Sequence, residues 1–152
     1  MKKVSVLATV ALGLLVGVGY VHAHGDEVHA DALKAANGGQ VQVAGANHFE
    51  LVVTKTSKEA MDNPVVVYLT DGNGKKLPST GALGTATLLT GKDKTVVTLT
   101  PDGDNRMRGI GKYASTPAMK AIVSVTLPGK SAEQARFTPL VIESDGHSDH
   151  KH

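Results

Sequence analysis

Eight short runs of alternating or β-branched residues fill the chain from residue 40 onward: 40–44, 48–54, 64–70, 82–90, 95–100, 107–113, 118–127 and 132–137. Gly, Pro, Asp or Asn marks nearly every gap between them, most plainly at Asp71-Gly72-Asn73-Gly74, and no stretch there carries a convincing 3.6-residue period. Seven or eight strands at this spacing imply an all-β domain, and an immunoglobulin-like antiparallel β-sandwich is the expected fold, with a closed small barrel as the main competitor. Period two selects the core: Phe49, Leu51, Val53, Val65, Val67, Leu69, Leu88, Val97, Leu99, Ala121, Val123, Val125, Leu127 and Phe137. These side chains are mostly small and aliphatic, so the inner faces should meet without a large ligand cavity between them.

The start of the chain reads differently. Lys2 and Lys3 precede an uncharged apolar stretch, 4–21, that ends in Val21-His22-Ala23, the small-x-small pattern of a signal-peptidase site. The alternative, an uncleaved anchor, is weakened by Gly13, Gly17 and Gly19 inside a segment of barely spanning length. Cleavage after Ala23 would leave 129 of the 152 residues and remove two of the 16 basic side chains, so that 14 basic face 14 acidic residues. Such a neutral chain lacks the cationic surplus of a nucleic-acid binder and, after cleavage, any membrane segment. It contains no cysteine, which excludes disulfides, thiolate metal sites and a lipidated N-terminal Cys, and directs the expectation to the periplasm. The expected organisation is a signal peptide (1–23), a polar leader (24–37) with a helical turn over 31–36, a β-domain (38–142) and a solvated tail (143–152).

Histidine placement carries the chemistry. Of the six histidines left after cleavage, none falls between Phe49 and Gly146; His24, His29 and His48 lie at one end, and His147, His150 and His152 crowd the last six residues beside Asp149. Imidazole and carboxylate without thiolate suit Cu(II), Ni(II), Co(II) or Zn(II). Were His24 the first residue, its amine and imidazole would chelate one ion together, a pairing that favours Cu(II) most. His48 and Glu50, two apart on one strand, project from the face opposite Phe49, Leu51 and Val53 and would complete that set, with His29 a looser candidate. The tail, rich in imidazole and unpatterned, suits weak and exchangeable binding.

Other constellations carry less. Met61, Met107 and Met119 are isolated and read as packing residues. Asp102, Asp104 and Asn105 resemble a calcium loop in composition only, and a β-turn explains them better. Neither a Gly-x-Ser-x-Gly elbow nor a Gly-Lys-Ser/Thr phosphate loop is present, so hydrolase and nucleotide-binding chemistry are not expected, and the chain reads as no enzyme.

The segment NGGQVQVAGANHFELVV (37–53), followed by VYLTD (67–71) and GALGTATLL (81–89), resembles a group of small secreted proteobacterial β-proteins found with heavy-metal efflux systems. That resemblance implies a periplasmic location, a periplasmic component of an efflux pump as partner, and His48 and Glu50 as ligands. A thiol-free exported sandwich opening on His is also similar, as a chemical parallel, to the CopC-like copper-resistance proteins. The expected function is therefore a periplasmic carrier or buffer of a divalent transition metal, Cu(II) foremost, linked to efflux or resistance. The alternative is a metal-independent envelope module that docks a protein through an exposed sheet edge.

Overall fold

The computed structural model describes residues 34–142; the signal segment, His24, His29 and the tail with His147, His150 and His152 lie outside the described residues. The domain consists of β1 (Gln40–Ala44), β2 (Asn47–Val53), β3 (Met61–Asp71), β4 (Leu83–Thr90), β5 (Asp93–Pro101), β6 (Arg106–Tyr113), β7 (Lys120–Thr126) and β8 (Glu133–Phe137). All pairings are antiparallel, in the spatial order β1-β2-β3-β6-β5-β4-β7-β8. Among the described residues there is no helix; of the helical turn expected over 31–36, residues 34–36 are not helical and 31–33 lie outside the described residues.

The all-β antiparallel expectation is met. Its arrangement is one nearly closed, barrel-like sheet, closer to the competitor than to two separate immunoglobulin-like sheets. Alternation told which side of each strand turns inward, but not that the first and last strands would meet. Side chains bridge the gap between them: the Thr138 amide, just past β8, donates to Gln40 Oε1 of β1 (2.8 Å), and Asn47 Nδ2, at the start of β2, donates to Glu133 Oε2 of β8 (2.9 Å).

Within the closed sheet, every core residue named from period two is buried except Leu127, which packs at the rim. Ala44, Ala82, Ala86, Met107, Tyr113, Met119 and Ala135 join them. Burial of Met107 and Met119 among aliphatic neighbours confirms their packing role, while Met61 is exposed at the start of β3.

The two halves of the sheet, β1-β2-β3-β6 and β5-β4-β7-β8, join between β5 and β6 through only two paired positions, Thr100↔Arg108 and Pro101↔Met107. Beyond them β5 crosses β6 very closely. A Cβ on Gly109 would stand 2.3 Å from the Thr98 carbonyl oxygen and 2.5 Å from Val97 Cγ1, so only glycine admits this corner.

Buried polar groups fasten the open ends. Tyr113 Oη donates to the Pro64 carbonyl (2.5 Å) and accepts the Thr54 amide (3.0 Å), tying β6, β3 and the end of β2 to one hydroxyl. Tyr113→Phe is expected to cost about 1–3 kcal/mol, because it leaves a donor and an acceptor in a dry site without their partner; urea denaturation measures it. The loop of Asp102, Asp104 and Asn105 is a turn between β5 and β6. Arg106 pairs with Asp102 (3.1 Å), Ser79 Oγ donates to the Gly103 carbonyl (2.8 Å), and Asn105 Nδ2 donates to the Leu69 carbonyl (3.0 Å).

Candidate functional site

The outer face of β2 carries His48, Glu50 and Val52, as expected from the inward set of Phe49, Leu51 and Val53. Register places His48 between Val43 of β1 and Thr70 of β3, and Glu50 between Val41 and Tyr68. An outward carboxylate on a strand of this kind would ordinarily be solvated. Glu50 is instead only 6% exposed.

Its cover is the chain that enters β1. The Asn37 amide donates to Glu50 Oε1 (2.8 Å), the Gly39 amide donates to the same oxygen (3.0 Å), and Asn37 Nδ2 donates to Oε2 (2.9 Å). Three charge-assisted hydrogen bonds hold residues 37–39 down on β2. The two glycines permit the descent. Gly38 has φ +76°, and a Cβ on Gly39 would lie 2.3 Å from the Leu51 carbonyl oxygen. Lys55 Nζ adds a bond to the Gly38 carbonyl from the far end of β2 (2.9 Å). The sequence signal for this clasp is the pair Gly38-Gly39, twelve and eleven residues before Glu50.

Beside the clasp lies a cleft of about 580 Å³ on the outside of the barrel. Lys34 and Asn37 from the entering chain, His48 and Glu50 from β2, Tyr68 from β3 and Lys76 from the following turn are among its walls. The expectation that the inner faces leave no large cavity does not bear on this cleft, which is built on the outer face. His48, partly buried here, is the one expected histidine ligand within the described residues, and the structure brings it together with Glu50 in one cleft. Among the described residues no group of three or more His, Cys, Asp or Glu side chains gathers in a metal-holding arrangement. Glu50 has about three of its four acceptor positions filled by the clasp.

The turn below the cleft is fixed by Asp71, whose Oδ1 accepts the amides of Lys75 (2.9 Å) and Asn73 (2.8 Å). Those two backbone hydrogen bonds hold the Asp71 carboxyl below its ordinary value; the nearby charges of Lys75 and His48 act the same way, and slight desolvation opposes them. A depressed folded pKa means that this carboxylate's contribution is complete above the unfolded value and fades as the pH falls through the lower folded one. Carboxyl-detected NMR should therefore show Asp71 titrating below the ordinary aspartate range, with the Asn73 and Lys75 amides shifting at the same midpoint.

Comparison with protein family models, curated proteins and solved structures returned no match to this chain.

Proposed function

We propose that this chain is a periplasmic metal-binding protein, a carrier or buffer for Cu(II) or a similar divalent transition ion, serving metal efflux or resistance. The observation that supports it best is the clasp. By pinning residues 37–39 beside His48, Glu50 sets Lys34 at the wall of the same cleft, so that the chain before it leaves from there. His24 precedes Lys34 by ten positions and His29 by five. At ~3.3–3.6 Å per extended residue, both are within reach of His48.

In this reading His48 is the ligand fixed by the fold, and His24, with its imidazole and, after cleavage at Ala23, its amine, is the ligand brought by the leader. His29 is the auxiliary. Glu50 acts through the clasp, keeping the entry of the leader next to His48. The tail histidines His147, His150 and His152 form a separate and weaker acquisition site. Deprotonated imidazoles are required throughout, so acidification releases the ion. The edge strands β1 and β8 are five residues each and are bridged by side-chain bonds, which counts against a docking module that adds a strand to a long open edge.

Calorimetric titration of the exported, natively processed protein with Cu(II), Ni(II), Co(II) and Zn(II) tests the proposal. His48→Ala should lower the tighter affinity by at least about tenfold, the loss of one imidazole ligand, and leave the tail's weak binding in place. Equal binding by the variant and the parent would remove His48 from the account.

A further inference from the structure

We infer that the cleft over β2 and β3 binds a small organic anion carrying two or more carboxylates. The inference stands on the cleft itself and does not rest on metal binding.

Size is the first ground. About 580 Å³ is far more than a single ion needs and falls in the usual range of small-molecule sites. Charge is the second. Lys34 and Lys76 line the cleft against one acid, Glu50, and that carboxylate already receives three N–H donors from Asn37 and Gly39. Asp71, at the end of β3, does not line the cleft; its carboxylate accepts the Asn73 and Lys75 amides, and Asp102 is paired with Arg106. The Thr70↔Lys76 bridge holds the Lys76 backbone against β3, opposite the strand that carries His48.

Lining chemistry is the third ground. Val41 and the ring of Tyr68 offer apolar wall, while Thr70 and Asn73 supply short polar groups around it. A short carbon skeleton with carboxylates at more than one end matches this mixture: lysines for the charges, hydroxyl and amide groups for orientation, and the wall for the skeleton. Monocarboxylates would use only part of the charge.

Amide NMR on the metal-stripped full chain at low ionic strength, with citrate as the probe and acetate and inorganic phosphate as comparisons, tests this. Expected are saturable shifts centred on His48, Tyr68, Thr70 and the turn through Lys76, with citrate bound at least ~tenfold more tightly than acetate or phosphate. Lys34→Ala combined with Lys76→Ala should weaken citrate by a further ~tenfold or more, as should added salt. Both lysines are exposed, so the variant keeps its fold, which unchanged shifts elsewhere in the spectrum verify. Shifts scattered over surface lysines, equal binding of phosphate, or citrate binding indifferent to the double substitution would overturn the inference. Because the protein is stripped of metal, failure here is distinct from failure of the metal titration.

Discussion

Replacing Glu50 with alanine is expected to lower the unfolding free energy by about 2–4 kcal/mol and to free residues 34–39 from the barrel wall. The carboxylate accepts the Asn37 amide and side chain and the Gly39 amide, and a hydrogen bond to a charged acceptor contributes about 1.5–3 kcal/mol, less where it is exposed. Some of that loss is recovered because the freed segment regains conformational entropy. Hydrogen exchange at Asn37 and Gly39 should rise towards unprotected rates while the core strands keep their protection. Glu50→Gln should be milder. Its remaining oxygen can still accept both backbone amides, and an inverted Asn37 amide can accept from the new donor. In the metal reading Glu50→Ala also weakens binding at the His48 site, because the leader no longer departs beside that imidazole. Unchanged stability, with both amides as protected as before, would show that the clasp contributes nothing.

The second large effect belongs to the corner between β5 and β6. Gly109→Ala should cost about 3 kcal/mol, since its Cβ would stand 2.3 Å from the Thr98 carbonyl oxygen, and backbone cannot step aside as a side-chain tip can. Gly111→Ala offers the informative contrast. There the collision, at 2.4 Å, is with Val97 Cγ2, a side-chain atom. Combined with Val97→Ala, the Gly111 substitution should show a favourable coupling of ~1 kcal/mol or more in a double-mutant cycle, whereas Gly109→Ala should not be rescued to the same extent. Denaturant midpoints measured on the three single variants, the two double variants and the parent decide this. Equal rescue at both glycines would mean that Val97, and not the Thr98 carbonyl, sets the approach of the two strands.

How far the chain could be read in advance follows from which interactions are local. Strand positions and inward faces depend on the alternation within each run, and Phe49-Glu50-Leu51 or Val97-Thr98-Leu99 declares it without knowledge of neighbours. The nearly closed sheet depends on contacts such as Gln40–Thr138, 98 residues apart, for which a single sequence has no local signal. The early start of β3 at Met61 escaped for a similar reason. Asn63 is polar, yet it is buried because its Nδ2 donates to the Tyr113 carbonyl (2.9 Å) on the neighbouring strand.

The candidate site divides along the same line. That His48 and Glu50 share an outward face was legible from their spacing of two. That Glu50 would be buried was not, because its cover is formed by backbone amides of Asn37 and Gly39, groups every residue but proline carries. Gly38 and Gly39 were visible, but a glycine pair signals a freedom of the chain and not its destination. The cationic side of the cleft was hidden too, since Lys34 and Lys76 come together across the fold from either side of the first three strands.

The central claim is that a divalent transition ion is held between His48, fixed on β2, and the histidines of the leader that starts at its side. Electron paramagnetic resonance of one equivalent of Cu(II), added to protein natively processed at Ala23 and lacking the tail from His147, tests it most directly. The account predicts a single nitrogen-rich tetragonal spectrum that loses nitrogen coupling in both His24→Ala and His48→Ala. A spectrum of free copper, or one that His48→Ala leaves unchanged, would contradict it.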